Sequence, residues 1–231
     1  MTARPTPALE FSKKYDADHA RYYFEKHETE FWRRLSNWRD HQVARKALRI
    51  AGDPATVLDV PCGTGRFWNV LAENPARIIH ASDNSQSMID TGLALRPAEI
   101  AARVQPFQGS VFDLPVEDNF VDCVFCIRFA HHLGEPGQRL ALLRELHRVA
   151  AKSVILSLWV DGNYQAWRRQ RHEARKRARG VDRSLQNRFV TPAAVAEEEF
   201  RQAGFEIGAR LDFLPFYSCW RTYVLLKQTG A

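Results

Sequence analysis

The stretch Val57-Leu58-Asp59-Val60-Pro61-Cys62-Gly63-Thr64-Gly65-Arg66-Phe67 constrains the fold of this 231-residue chain more than any other. An apolar, β-branched run from Thr56 to Val60 has the pattern of a strand buried on both faces. Gly63 and Gly65 follow it, and without a Cβ they let the backbone turn tightly and approach a ligand closely. A helix expected from about Arg66 would point its free N–H groups into that turn, which suits a nucleotide-like ligand bearing a carboxylate or phosphate.

Several cofactors are held by a strand, a glycine turn and a helix. Dinucleotide sites want G-x-G-x-x-G, and the third glycine position, counted from Gly63, is Trp68. No G-x-x-x-x-G-K-[ST] phosphate loop occurs either. The pattern L-D-x-x-x-G-x-G that remains resembles the class I S-adenosylmethionine-dependent methyltransferases, with Pro61 where that family usually has its first glycine. The resemblance implies an α/β fold: a Rossmann-like, seven-stranded, mostly parallel sheet with a C-terminal antiparallel hairpin and helices on both faces. It implies S-adenosylmethionine as cofactor, bound around Asp59, Pro61, Cys62, Gly63 and Gly65.

Further along, Arg77 to Ala81 reads as a second strand running into Ser82-Asp83-Asn84-Ser85. Asp83 stands 18 residues beyond Gly65, near the distance of about 20 at which α/β nucleotide sites place an acid on ribose hydroxyls. A carboxylate can accept from both hydroxyls at once. The family resemblance assigns Asp83 the same role, with Asn84 beside it. A helix is expected over Gln86 to Leu93, a third strand over Val104 to Ser110, and then a run through Leu114, Pro115 and Phe120 that resembles the family's G-D-x-x-x-L-P-F-x-D-x-x-F-D. Ser110 replaces the family's aspartate at the adenine amino group. Its hydroxyl and the Val111 backbone N–H are expected to meet the ring, with Asp113 three positions out of register.

A fourth strand, Cys123 to Phe129, leads into Ala130-His131-His132-Leu133. Ligands of open parallel sheets sit beyond the strands' carboxyl ends where strand order reverses, so Cys126 to His132 should border the sulfonium and the acceptor. His131 and His132 are the candidate general bases, an imidazole being suited to proton transfer near neutrality. Leu142, Leu143, Leu146 and Val149 mark a helix before a fifth strand, Ser153 to Val160. Thr191-Pro192 reads as a helix start with threonine as N-cap, Gly204 as its stop, and two runs, 206–214 and 218–227, as a closing hairpin. The chain is read as one domain, residues 1–231, with residues 1–50 a helical extension or lid in which Phe31, Leu35 and Trp38 form a packing stripe. Tyr15 to Phe24, rich in aromatics, is where this family commonly carries a lid.

Cysteine and charge exclude some chemistries. The four cysteines form no disulfide framework, and Cys123 and Cys126 should point to opposite faces of one strand, which disfavours a metal. Pro61-Cys62 looks like the nucleophile of cytosine C5 methyltransferases but falls in the cofactor turn. No apolar run is long enough to span a membrane, and the N-terminal MTARPTPALEF lacks a signal-peptide core, so a reducing cytoplasm is expected. Residues 161–190 hold nine Lys or Arg against three acids, an excess equal to the whole formal charge of +6. This basic insertion, with Arg168, Arg169, Arg171 and Arg175 at its centre, is expected to be a mostly helical arm beside the acceptor that meets an anion or pairs with Glu197, Glu198 and Glu199.

Three function classes follow. Methyl transfer to a small-molecule or lipid-like acceptor, O-methylation favoured and the acceptor anionic, leads. A nucleic-acid methyltransferase using the basic segment 161–190 comes second; the amino-directed versions resemble one another in carrying [DNS]-P-P-[YF] after strand four, where this chain has Cys126-Ile127-Arg128-Phe129. A cofactor-binding protein without catalysis is third. Peripheral contact with an anionic membrane surface is compatible with the basic insertion.

Overall fold

The computed structural model describes residues 31–178 and 187–228. The aromatic segment Tyr15 to Phe24, residues 179–186 of the basic insertion, and the side chains of Phe31 and Trp32 lie outside the described residues.

Seven strands form one sheet: β1 (Thr56–Asp59), β2 (Ile78–Asp83), β3 (Val104–Gln108), β4 (Val121–Cys126), β5 (Ala150–Trp159), β6 (Phe205–Asp212) and β7 (Trp220–Lys227). Their order is β3-β2-β1-β4-β5-β7-β6, parallel throughout except for β7, which is antiparallel to both neighbours. The order reverses between β1 and β4, so their carboxyl ends open the crevice where an open α/β sheet binds ligand.

The core shows why this sheet forms. Leu58 and Val60, Val124 and Cys126, Val154 and Leu156, and Tyr223 and Leu225 face one side. Val57, Cys123, Phe125, Ile155 and Val224 face the other. Side chains alternate along a strand, so near-continuous apolar runs bury both faces and demand helices on each. Cys123 and Cys126 do point to opposite faces, all four cysteines are unpaired, and no metal-binding cluster exists among the described residues.

Seven α-helices are described: α1 (Phe31–Ile50), α2 (Trp68–Leu71), α3 (Gln86–Leu95), α4 (Ala98–Ala101), α5 (Pro136–Val149), α6 (Tyr164–Ala178) and α7 (Ala193–Gln202). Helices α5 and α7 cover the first face and α1 and α2 the second. A buried ion pair joins α5 to α7: Arg139 Nε and Nη2 donate to the Glu199 carboxylate at 2.7 and 2.6 Å. Arg139 also donates to the carbonyls of Leu133 and Gly134, so all three of its guanidinium nitrogens are hydrogen-bonded despite burial.

Several sequence expectations are corrected. The stripe through Leu35 and Trp38 is not the packed face of α1, since these side chains are 46% and 55% exposed. The helix buries Val43, Ala44, Ala47 and Leu48 instead, against β6 and β7. The helix after the glycine turn begins at Trp68 and spans one turn. Strand β3 stops at Gln108, because it is an edge strand whose only neighbour, β2, ends at Asp83 opposite it. Strand β4 stops at Cys126, and Arg128 then takes a left-handed φ of 64° that no strand admits. Thr191 does not cap α7, because its backbone bridges to β5 through an N–H bond to Trp159 O. The cap acceptor is the Asp161 carboxylate, at 2.9 Å from Ala193 N.

Candidate active site

The glycine turn builds the first wall. Gly63 and Gly65 both have positive φ, 54° and 67°. A Cβ on Gly65 would lie 2.4 Å from the Trp68 ring, so that position admits only glycine. The turn is closed by Gly65 N–H to Cys62 O and tied to β2 by Cys62 N–H to Ser82 O. The Val60–Pro61 peptide is cis.

Asp83, the last residue of β2, meets this turn directly. Its Oδ2 accepts from Gly63 N–H at 2.9 Å and its Oδ1 from Ser85 N–H at 3.0 Å. The carboxylate is thereby held in one orientation at the carboxyl edge. Burial raises its pKa, and the backbone N–H groups of Ser85, Gly63 and Asn84 oppose that rise. Gly109 N–H donates to Asp83 O, bringing Ser110 and Val111 to the same edge. Ser110 Oγ accepts from Phe112 N–H and Val111 is buried, whereas Asn84 and Asp113 are exposed.

At the end of β1, Asp59 is buried and its Oδ2 has no hydrogen-bond partner. Burial raises its pKa well above the carboxylate range, the Asp83 charge adds to this, and the Trp68 indole N–H opposes it from outside hydrogen-bond geometry. A buried carboxylate oxygen left unpaired is costly unless a donor arrives with a ligand. The Gly63 position, open beyond a 3.5 Å contact to Met88, gives such a ligand room beside the backbone. The residues present therefore fit an S-adenosyl ligand: hydroxyl acceptors at Asp83, an acceptor for an ammonium at Asp59, and a turn without side chains between them.

Burial pushes the Cys62 thiol far up, with Asp59 and Asp83 adding to it, so it is no nucleophile. Cys126 is the last residue of β4, and its side chain is fully buried in the core with Leu58 and Val60.

The second wall lies beyond β4 and β5. A short 3-10 turn, Ala130–His132, carries the histidine pair. His131 is 4% exposed and packs on Trp159 and Trp220 at centroid distances of 5.0 and 4.7 Å. Burial first, then His132, Arg188, Arg128 and Arg169, lower its pKa to about 2, so it stays neutral and is a weak base. His132 Nδ1 lies 2.5 Å from the Asn187 carbonyl, which can only accept, so the proton sits on Nδ1 and Nε2 is the basic nitrogen. Its pKa is lowered by burial and by Arg188, against the Asn187 carbonyl, which raises it.

Three residues at this wall were not singled out from the sequence as site residues. Arg128 is held in its left-handed conformation by N–H donation to Ser157 Oγ at 2.7 Å and by an ion pair to Asp40 at 2.6 Å. Its guanidinium lies 4.6 Å from the Trp220 ring. Asp40 also pairs with Arg66 from the glycine turn, at 2.5 Å, so one carboxylate of α1 ties both walls together. A small cavity beside it is lined by Asp40, Phe67, Arg128, Ser157, Trp220 and Thr222. An arginine just after an apolar strand was the available sign for Arg128; Trp159 and Trp220 looked like ordinary strand aromatics.

Comparison with known proteins agrees with this geometry. Residues 57–153 match the family model described as a methyltransferase domain. Over 102 residues the chain is 31% identical to an uncharacterized 37.1 kDa protein of a Streptomyces fradiae transposon, covering 43% of this chain and 29% of that protein. Over 133 residues it is 29% identical to the tRNA U34 carboxymethyltransferase of Shewanella piezotolerans, covering 57% of this chain and 39% of that one. The chain thus spans roughly a third of the length of these curated relatives. Among solved structures, the magnesium protoporphyrin IX methyltransferase of Synechocystis with bound SAH superposes with a TM-score of 0.66 at 16% identity, over 87% of this chain and 89% of that one. A putative O-methyltransferase of Nostoc punctiforme gives 0.59 at 23% identity, over 79% and 56%. The sheet order, the glycine turn and the matched segment agree: residues 57–153 match a methyltransferase domain, set in the Rossmann-like methyltransferase fold.

Proposed function

We propose that this chain transfers the methyl group of S-adenosylmethionine to an oxygen of a small-molecule or lipid-like acceptor that carries negative charge. The observation that carries the reading is the Asp83 carboxylate pinned across the glycine turn by Gly63 and Ser85 N–H groups. S-adenosylmethionine supplies an activated methyl on a sulfonium leaving group. The chain's own task is to hold the acceptor in line and to exclude water, which is where most of the barrier reduction arises.

Asp83 holds the ribose hydroxyls, Asp59 meets the methionine ammonium, and the turn from Pro61 through Gly65 faces the rest of the cofactor. Ser110 and Val111 border the adenine, with Asn84 at the rim. His132 is the better placed of the two histidines for taking the acceptor's proton, because its Nε2 is the basic nitrogen while His131 is held neutral at low pKa. Proton transfer of this kind is typically worth about 10² to 10⁴ in rate. Asp83→Ala should weaken S-adenosylmethionine binding by about 1 to 3 kcal/mol, the loss of charge-assisted bonds to buried hydroxyls. Calorimetry tests this, and unchanged affinity would remove the ribose assignment.

A second reading, methylation of RNA, draws on the partial match to tRNA U34 carboxymethyltransferases and on exposed rings beside arginines. Tyr164 stacks on Tyr217, and Arg171 covers Trp167 at 4.8 Å. Release of S-adenosylhomocysteine from pools of small molecules, lipids and RNA separates the readings. Turnover confined to RNA would replace the first with the second.

A further inference from the structure

Four nitrogen-bearing side chains converge beyond β4 and β5, and each keeps a buried nitrogen with no hydrogen-bond partner among the described residues: Arg128 Nε, Arg169 Nε, Trp159 Nε1 and His131 Nδ1. They come from the loop after β4, from α6, from the end of β5 and from the 3-10 turn, so no local motif explains the grouping. The geometry is tight. Arg169 lies 4.3 Å and Arg188 6.0 Å from the Trp159 ring, Arg128 lies 4.6 Å from Trp220, and the two indoles touch at 5.5 Å. Trp159 and His131 are 6% and 4% exposed, so these polar atoms are not served by bulk solvent. Buried polar groups in native proteins are almost always paired, and a set that is not marks a place for a missing partner.

The missing partner's chemistry can be read from the donors. Two guanidinium Nε–H groups and an indole N–H can only donate, so the partner must accept at each. Three arginines surround His131, and the ion pairs among the described residues give a carboxylate to Arg128 but none to Arg169. The unmet charge is therefore positive. A flat anion with two oxygens and about four lone-pair sites meets donors arranged on planar groups, as a carboxylate does on guanidinium. We propose that this cluster binds a carboxylate on the methyl acceptor, which makes the enzyme selective for acids over their esters and amides. The proposal rests on the methyl-transfer reading of the same crevice and narrows its acceptor to carboxylic acids. Neutral His131 serves the subsite by offering a ring N–H without adding a charge.

The test uses the full chain and benzoate as probe, with benzamide as the uncharged isostere, titrated by calorimetry with and without S-adenosylhomocysteine. Benzoate is expected to bind and benzamide not to. Arg169→Gln should weaken benzoate by about tenfold or more, the loss of a charge-assisted bond, whereas Arg168→Gln, the same charge change one residue away on α6, should leave it unchanged. S-adenosylhomocysteine affinity should be the same in all three proteins. Trp159→Phe, which keeps the ring and deletes the N–H, gives a second arm, and thermal melting confirms that each variant is folded. No benzoate binding, equal binding of benzamide, or equal losses in the Arg168 and Arg169 variants would overturn the proposal. So would a loss of S-adenosylhomocysteine affinity in Arg169→Gln, which would assign the cluster to the cofactor's own carboxylate. Failure of S-adenosylhomocysteine to bind the unaltered protein would instead count against the methyl-transfer reading, while the benzoate titration alone still decides the cluster.

Discussion

Asp59 illustrates how single residues in this crevice hold a poor ligand-free state. Its Oδ2 is buried without a partner, and burial together with Asp83 drives its pKa upward. Leaving a carboxylate so placed opposes folding, and an incoming ammonium would reverse that. Asp59→Asn should therefore raise the unfolding free energy of the ligand-free protein by about 1 kcal/mol while weakening S-adenosylmethionine binding, a trade of stability against function. Urea unfolding and calorimetry on the same preparation check both directions. Joint loss of stability and affinity would mean that Asp59 has a structural role instead. Asp83 differs because two backbone N–H groups already satisfy it. At this scale the sequence was informative wherever a residue's role follows from its neighbours in the chain: the two turn glycines, and an acid at a set distance after them.

Among the elements, helices α5 and α7 depend on each other through one ion pair. Arg139 and Glu199 are 7% and 5% exposed, and the bidentate bonds at 2.7 and 2.6 Å are matched by two carbonyl acceptors for the same guanidinium. Removing one partner leaves the other charged and buried, so Arg139→Met should destabilise by about 3 kcal/mol or more, and Arg139→Met with Glu199→Leu should recover most of it. Denaturant titration of the three proteins measures the coupling. If the double variant were no better than the single one, packing and not charge would be the source. From the sequence, Glu199 is expected, with Glu197 and Glu198, to pair with the basic insertion, but among the described residues these acids pair with Arg139, Arg210 and Arg201. Arg139 did not stand out, because 60 positions separate it from Glu199 and only the packing of two helices on one sheet face brings them together. The misread stripe on α1 has a related cause. Aromatics at helical spacing state that a face is apolar but not which part of the helix meets the sheet, and here the apolar contact is made by Val43, Ala44, Ala47 and Leu48.

For the whole molecule, burial of histidines gives stability a dependence on pH. His131 falls from an ordinary value of 6.5 to about 2, and His41, His80, His132 and His147 are also lowered, in each case chiefly by burial. A histidine whose folded pKa is depressed binds fewer protons when folded than when unfolded, so its effect is to lose stability as pH falls below 6.5. The raised pKa values of Asp59 and Asp83 act in the opposite sense, because those groups hold protons more readily in the folded state. A comparison of variants isolates one histidine: between pH 7 and 5, His131→Gln should lose about 2 kcal/mol less than the unaltered protein, at about 1.4 kcal/mol per pH unit below 6.5. Parallel curves would mean that His131 titrates normally and is not enclosed by the aromatic wall. The sequence by itself determined the glycine turn and the acid 18 residues beyond it, because apolar runs, turn glycines and short spacings act locally along the chain, while the seven-stranded α/β architecture followed from the resemblance that these residues carry. Only the tertiary structure decided that Arg128, Arg169, Trp159 and His131 share one buried cluster, that Asp40 links the two walls and that Asp161 caps α7. Each of these joins residues from separate elements, and a contact across elements is set by how helices and loops pack over the sheet, which no local pattern encodes.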